Sequence, residues 1–299
     1  MQQQNETVVA RTTIDFIYPA SSDGQLDESA WTKGGTLTIT HSQLLLSSGS
    51  KKVAMALRGM EDIDYITSGN RSVLLLTRYE NGQFQSCALG AAPKAIESLR
   101  RYFIQFIADA FKTSVYFISP ISRGGVVLTT GGWEQGLLLA TQRSIWFMSR
   151  DKQIRVGLGS IVQIRREARR MGGKDRNVLT VDHLDKGEAL SSIVLCPDNT
   201  MDMLENYLGD LVKKSHSLGK DQKLTELEGQ IATLIYSGVD SSTIQSMLSL
   251  DAVALDQFYD KLLAIGMARV ARVRRELELS PKGVKYVADL ANIATAEKK

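Results

Sequence analysis

The segment Arg165-Arg166-Glu167-Ala168-Arg169-Arg170-Met171-Gly172-Gly173-Lys174-Asp175-Arg176 holds six basic and two acidic residues, a net +4, while the whole 299-residue chain sums to +3. Guanidinium groups set this close suit charge-assisted, bidentate contact with carboxylates or phosphates. The run reads in two ways: as a solvated hairpin loop, or as a docking site for an acidic partner surface or a phosphate. The Gly172-Gly173 pair would let it adapt. A second basic group, Arg269, Arg272, Arg274 and Arg275, lies near the C-terminus. Residues with catalytic promise are sparse. His41, His183 and His216 lack ligand-like spacing to Cys, Asp or Glu. Cys87 and Cys196 make neither a metal motif nor a disulfide framework, and a reducing compartment is the simple reading. No Gly-rich phosphate loop ends in Lys-Ser/Thr, and no nucleophile elbow is present. The expectation is a protein without catalytic, cofactor or metal sites, one that works by binding other proteins.

The elements that must position these groups follow from length and pattern. A chain of 299 residues is too long for one typical core, so two or three domains are expected. Apolar residues make up 43% and charged residues 23%, ordinary for a globular protein. A charge of +3 sets up no global field toward nucleic acid or an anionic membrane. The N-terminus has neither the basic nor the apolar region of a signal peptide. No stretch approaches the roughly 20 apolar residues that span a bilayer. A cytoplasmic location without membrane insertion is expected.

An internal repeat organises the first 215 residues. Trp31-x-x-Gly34 and Trp133-x-x-Gly136 both open strand-like sequence. From Thr40 onward two copies align without gaps: Thr40 with Thr141, Leu44 with Ile145, Val53, Met55 and Leu57 with Ile154, Val156 and Leu158, Met60 and Ile63 with Ile161 and Ile164. Apolar residues at every second position predict strands, with Lys51 and Asp151-Lys152 in turns between them. Strands over Val73–Thr77 and Val178–Val181, then Phe84–Leu89 and Leu190–Leu195, follow. Each copy closes with a helix. Ile96, Leu99, Phe103, Phe106 and Ile107 make one apolar stripe, and Met201, Leu204, Leu208, Leu211 and Val212 the other. Several short strands closed by one amphipathic helix is the plan of a pleckstrin-homology-like or GRAM-like β-barrel domain, in which the sheet bends into a partly open barrel and the helix plugs one end. The expected domains are 7–112 and 113–215.

After a polar linker from Lys213 to Gln222 the period becomes helical. Leu224, Leu227, Ile231, Leu234 and Ile235 mark one helix. Ser241 or Ser242 is expected to cap a second, carrying Ile244, Met247 and Leu248. Leu255, Phe258, Leu262 and Leu263 mark a third, ending at Gly266. Met267–Arg274 and Glu276–Leu279 then form a hairpin, and Ser280-Pro281-Lys282-Gly283 opens a last helix. This is winged helix-turn-helix order, expected over 222–292. The overall fold class is therefore α+β. The third helix, which would enter a major groove, carries Asp256, Asp260 and a single Lys261. The segment from Asp221 holds 10 Lys/Arg and 11 Asp/Glu, so it lacks a phosphate-binding footprint. A DNA-binding transcription regulator is the alternative that the basic wing keeps open; a lipid sensor using the basic run is a third.

The string Trp31-x-x-Gly34, Thr40, Leu44-Leu45-Leu46, Lys51-Lys52, Leu57, Met60, Ile63, its second copy and the winged-helix end together resemble the archaeal taxis adaptor family CheF, from about residue 8 to 287. The resemblance implies a non-enzymatic chemotaxis adaptor linking the phosphorylated response regulator CheY to the motor or switch proteins of the archaellum. CheY-like receivers are acidic at their phosphorylation pocket. Arg165, Arg166, Arg169, Arg170, Lys174 and Arg176 are thus the first expected contact residues, with Arg269, Arg272, Arg274 and Arg275 as a second set. Positive charge in copy two alone fits a division of labour, one copy for each partner.

Overall fold

A computed structural model of the chain describes residues 7–22, 24–68, 71–107, 111–128, 132–171, 173–216, 224–272 and 276–296. The first part runs β1 (Val8–Ala20), β2 (Thr32–Thr40), β3 (Gln43–Ser48), β4 (Lys51–Ala56), β5 (Met60–Ser68), β6 (Arg71–Glu80) and β7 (Gln83–Ala91), then α1 (Pro93–Phe103). The second runs β8 (Phe111–Arg123), β9 (Val126–Val127), β10 (Glu134–Ala140), β11 (Ser144–Met148), β12 (Gln153–Gly157), β13 (Ile161–Met171), β14 (Lys174–Asp185) and β15 (Glu188–Leu195), then α2 (Asp198–Ser215). The first sheet has the order β4-β3-β2-β1-β7-β6-β5; the second has β12-β11-β10-β8-β15-β14-β13, with β9 added beside β8. Strand for strand the two orders coincide. Among the described residues neither path closes on itself: β4 and β5, like β12 and β13, are ends, so neither sheet is a closed barrel.

The central strands β1 and β8 were not expected. In β1 the buried residues bunch toward one half, with Val8–Thr13 all exposed and Ile14, Phe16 and Ile17 buried; in β8 they bunch in the middle, at Val115, Phe117, Ile118 and Ser119. Without clean alternation the period gives no signal. Other local readings shift as well. Lys51 opens β4, and the turn is Gly49-Ser50. Lys213–Ser215 belong to α2, not to a linker, while residues 217–222 of the expected linker lie outside the described residues.

The repeat holds, but its opening motif is one residue out of register. A Cβ on Gly136 would lie 2.0 Å from the Met148 carbonyl oxygen and 2.9 Å from the Phe117 ring. A Cβ on Gly35 would lie 3.1 Å from the Ser47 carbonyl oxygen and 2.5 Å from the Phe16 ring. Gly35, Phe16 and Ser47 each sit 101 positions before Gly136, Phe117 and Met148, the same spacing as Thr40 to Thr141. Gly136 therefore corresponds to Gly35, not to Gly34. The two tryptophans differ accordingly: Trp31 is 7% exposed and Trp133 37%. The paired threonines do match. Thr40 Oγ1 accepts from the Gln43 N–H at 3.1 Å, and Thr141 Oγ1 accepts from the Ser144 N–H at 3.1 Å. Both copies also carry an irregularity just after the start of the same strand, between Met60 and Asp62 and between Ile161 and Gln163.

By compactness the chain forms two units. Residues 1–111 with the turn Ala140–Ser144 form the first; residues 112–139 and 145–299 form the second. The second unit includes α3 (Glu226–Tyr236), α4 (Ser241–Leu248), α5 (Ala252–Ala264), a hairpin of β16 (Ala268–Arg272) and β17 (Glu276–Leu279), and α6 (Pro281–Ala296). Ile231, Ile244, Leu255, Leu262 and Met267 make the centre of its helical core. The helix starts are set by side-chain caps. Thr225 and Glu228 form a reciprocal capping box on α3. Asp240 caps α4, accepting from the N–H groups of Ser242 and Thr243 at 3.0 Å, so neither expected serine is the cap. Asp251 caps α5.

Candidate partner-binding site

The basic run is not a loop. β13 continues to Met171 and β14 begins at Lys174, so all six cations lie on a two-stranded arm with only residues 172 and 173 between the strands. Gly173 has φ +81°, the left-handed conformation that two-residue hairpin turns demand and glycine supplies. The register pairs Arg165 with Thr180, Arg166 with Leu179, Glu167 with Val178, Arg169 with Arg176, Arg170 with Asp175 and Met171 with Lys174. The equivalent arm of the first copy is shorter: β5 and β6 have 9 and 10 residues, β13 and β14 have 11 and 12.

Three of the arginines are held internally. The Arg165 Nε donates to Asp182 Oδ2 at 3.0 Å and its Nη1 to Glu167 Oε2 at 2.6 Å. The hydrogen bond to Asp182 is the leading reason its pKa rises further. Arg166 donates through Nη2 to Asp202 of α2, and its Nε lies 3.2 Å from Glu205 Oε2. Arg169 donates from Nε to Glu167 Oε1 at 2.7 Å. Glu167 also accepts from Thr180 Oγ1 at 2.7 Å. Partial burial works to raise its pKa, but these donors win and hold it below the ordinary carboxylate value. Arg170, Lys174 and Arg176 are exposed, and none forms an ion pair with a described residue. The expected site thus divides into a braced root and a tip of uncommitted cations.

The sequence profile of a family described as archaeal chemotaxis signal transduction system protein F matches residues 8–214. The chain belongs to that family. It is also similar to the taxis protein CheF1 of Halobacterium salinarum, with 20% identity over 293 residues that cover 97% of this chain and 99% of the relative. A second profile, described as a domain of unknown function (DUF8579), matches residues 223–292. For this member of the chemotaxis family F, the helical part therefore carries a family signature separate from that of the repeat.

The second expected set is less well placed. The register sets Arg269 opposite Glu278 and Arg272 opposite Glu276, while Arg274 and Arg275 lie outside the described residues. On α5 the single cation, Lys261, is taken up by Glu228, with Nζ 2.6 Å and 2.7 Å from its two carboxylate oxygens. Ala252, Val253, Gln257, Asp260 and Ala264 make the exposed face of that helix.

Sequence reasoning missed one polar centre, inside the first unit. Asp62 is 3% exposed; its Oδ1 accepts from Ser144 Oγ at 2.9 Å, and the Arg143 Nε lies 3.8 Å from its Oδ2. Neighbouring Glu61, 6% exposed, accepts from the Gln142 N–H at 3.4 Å. The Arg143 guanidinium also sits 5.0 Å from the centre of the Phe84 ring. The available signal was the repeat itself: two adjacent acids stand where copy two has Val162 and Gln163.

The remaining chemistry-bearing residues are packed. Burial pushes the Cys87 thiol up to about 12, far from a reactive thiolate. His183 and His216 are buried with Nδ1 at 3.3 Å and 3.0 Å from the carbonyls of Val181 and Val212, and His41 is exposed. Among the described residues no His, Cys, Asp and Glu side chains group as a metal site, and no helix is long and apolar enough to cross a membrane.

Proposed function

We propose that the chain is a non-enzymatic, cytoplasmic chemotaxis adaptor that couples the phosphorylated response regulator CheY to the archaellum motor or switch proteins. In this reading the two repeats are pleckstrin-homology-like domains used as protein-binding surfaces. The C-terminal part is a winged helix that serves as an interaction module. Family membership supports chemotaxis signalling. The observation that carries the CheY contact is the arm tip, where Arg170, Lys174 and Arg176 stay exposed and without ion-pair partners among the described residues, while the root arginines are neutralised. Uncommitted cations on a two-stranded arm suit an acidic receiver surface. No catalytic step is required of the adaptor. If it binds the phosphorylated regulator more tightly, occupancy of the motor follows phosphorylation, and each factor of ten corresponds to about 1.4 kcal/mol.

The test is retention of CheY, held phosphorylated or unphosphorylated, on the immobilised full chain. Preferential retention of the phosphorylated form, weakened by Arg170→Glu with Lys174→Glu and Arg176→Glu, is expected. Equal retention of both forms removes the switch; equal retention by wild type and variant removes the arm. The DNA-binding alternative is disfavoured by the acidic α5 and the commitment of Lys261 to Glu228. A salt-steep duplex shift abolished by Arg272→Glu with Arg274→Glu would restore it.

A further inference from the structure

The arm has two faces, and their charges differ. Alternation along the strands, with the pairing register, puts Arg165, Glu167, Arg169, Lys174, Arg176 and Asp182 on one face. Arg166, Arg170 and Asp175 lie on the other, with Asp202 and Glu205 of α2 reaching Arg166. The α2-facing side is thereby matched or slightly acidic. The outer face carries four cations against two carboxylates, and both carboxylates are already saturated: Glu167 by Arg165, Arg169 and Thr180, Asp182 by Arg165 and Ser191. On that face Arg169 and Arg176 stand directly opposite each other across the ladder, with Lys174 one step nearer the tip.

A like-charged pair directly opposite on two strands opposes folding. The repulsion is eased on one side only: Glu167 holds the Arg169 guanidinium, while Arg176 has no ion-pair partner among the described residues. We infer that the Arg169–Arg176 pair, with Lys174, is a receptor for one doubly charged oxyanion of the phosphoryl class, carried by a protein partner. The free Arg176 fork, the Lys174 ammonium and the part of the Arg169 guanidinium that Glu167 leaves unengaged supply donors for three phosphoryl oxygens. The surplus of two positive charges on this face matches a dianion. A protein rather than a lipid surface is favoured because the one apolar side chain at the tip, Met171, is half-buried, and a chain with a net charge of +3 is only weakly drawn to an anionic bilayer. The inference narrows the docking reading above and rests on it only for the carrier of the phosphoryl group. Arg165 and Arg166, both among the expected contacts, become bracing residues.

The test titrates inorganic phosphate, and a short phosphoserine peptide with its unphosphorylated control, into the full chain at fixed ionic strength. Binding is read by amide and guanidinium NMR shifts. Saturable shifts confined to the arm are expected for phosphate and the phosphopeptide and not for the control. Arg176→Gln should weaken binding about tenfold or more. Arg166→Gln, on the other face, should leave it unchanged. Because Arg176→Gln also removes a like-charge repulsion, its Tm at low salt should rise by about 1–2 °C. Binding that is lost while stability is gained distinguishes a receptor from a misfolded variant. No saturable shift in wild type, an undiminished response in Arg176→Gln, or sedimentation with mixed neutral and anionic lipid vesicles in place of peptide binding would each overturn the inference. If phosphate binds as expected while CheY is retained regardless of Arg176, the receptor stands and the CheY contact fails. If CheY retention needs the tip but phosphate does not bind, the reverse holds.

Discussion

In the first copy the strands β5 and β6 carry Glu61, Asp62, Asp64 and Glu80 against Arg71 and Arg78, and α1 carries Lys94, Arg100 and Arg101 against Glu97. In the second copy the signs are exchanged. The strands β13 and β14 are net basic, and α2 carries Asp198, Asp202, Glu205 and Asp210 against Lys213 and Lys214. Strand order, the strand-start irregularity and the glycine packed under its aromatic ring are shared. The two copies thus share apolar and glycine positions while the charges on these elements differ in sign. Where acids are buried, at Glu61 and Asp62, and where cations outnumber their partners, at the tip of the basic arm, charge does something the other copy does not.

The comparison breaks most readily at the glycines. Gly136→Ala places a methyl group against a backbone oxygen that cannot move aside, and a loss of about 3 kcal/mol or more is expected in urea unfolding. Gly35→Ala meets mainly the Phe16 ring edge and should cost less. A harmless Gly136→Ala would undo the one-residue correction of the repeat. Next in size, Asp62→Ala removes the buried carboxylate that accepts from Ser144 Oγ at 2.9 Å and should cost about 2 kcal/mol, while the counterpart Gln163→Ala, on an exposed position, should stay within about 0.5 kcal/mol.

The copies should also separate by pH. Burial, the largest influence, lowers the pKa values of His183 and His216 below the ordinary 6.5. The unfolded chain then binds more protons than the folded one as pH falls through about 6.5, so stability held at neutral pH is lost below it. Both residues belong to the second unit and the exposed His41 to the first. Calorimetry between pH 7.5 and 5.5 should therefore show the second unit's transition falling, an effect reduced by His183→Gln; equal falls in both units would contradict it. The smallest effect is Arg166→Gln, a slight drop in Tm that salt should erase, because its ion pairs are exposed.

Much of this was legible from residue spacing. The duplicated strands, both closing helices and the order of α3 to α6 follow from apolar residues at period 2 or 3.6, which burial on one face imposes. The arm was read as a loop because Arg165–Arg176 contains almost no apolar residue: both of its faces meet water or charged side chains, so alternation has nothing to mark. β1 escaped for a related reason, its buried residues being clustered, and in β8 the inward positions from Phe111 to Phe117 include the polar Thr113, which blurs the apolar alternation. The role of Asp62 was hidden because its partner Ser144 lies 82 residues away and no local pattern links them. The division of the six cations into braced and uncommitted groups needed the register, since Asp182, Asp202 and Glu205 all lie outside the run.

Each strand of the second arm is two residues longer than its counterpart. Two is the smallest increment that keeps every side chain on its original side, because a single added residue would turn the outer face inward. At about 3.3 Å per residue the projection gains roughly 7 Å. Such an appendage can be lengthened or trimmed in steps of one pleat at each strand, altering how far it extends while leaving unchanged the direction in which its cations point.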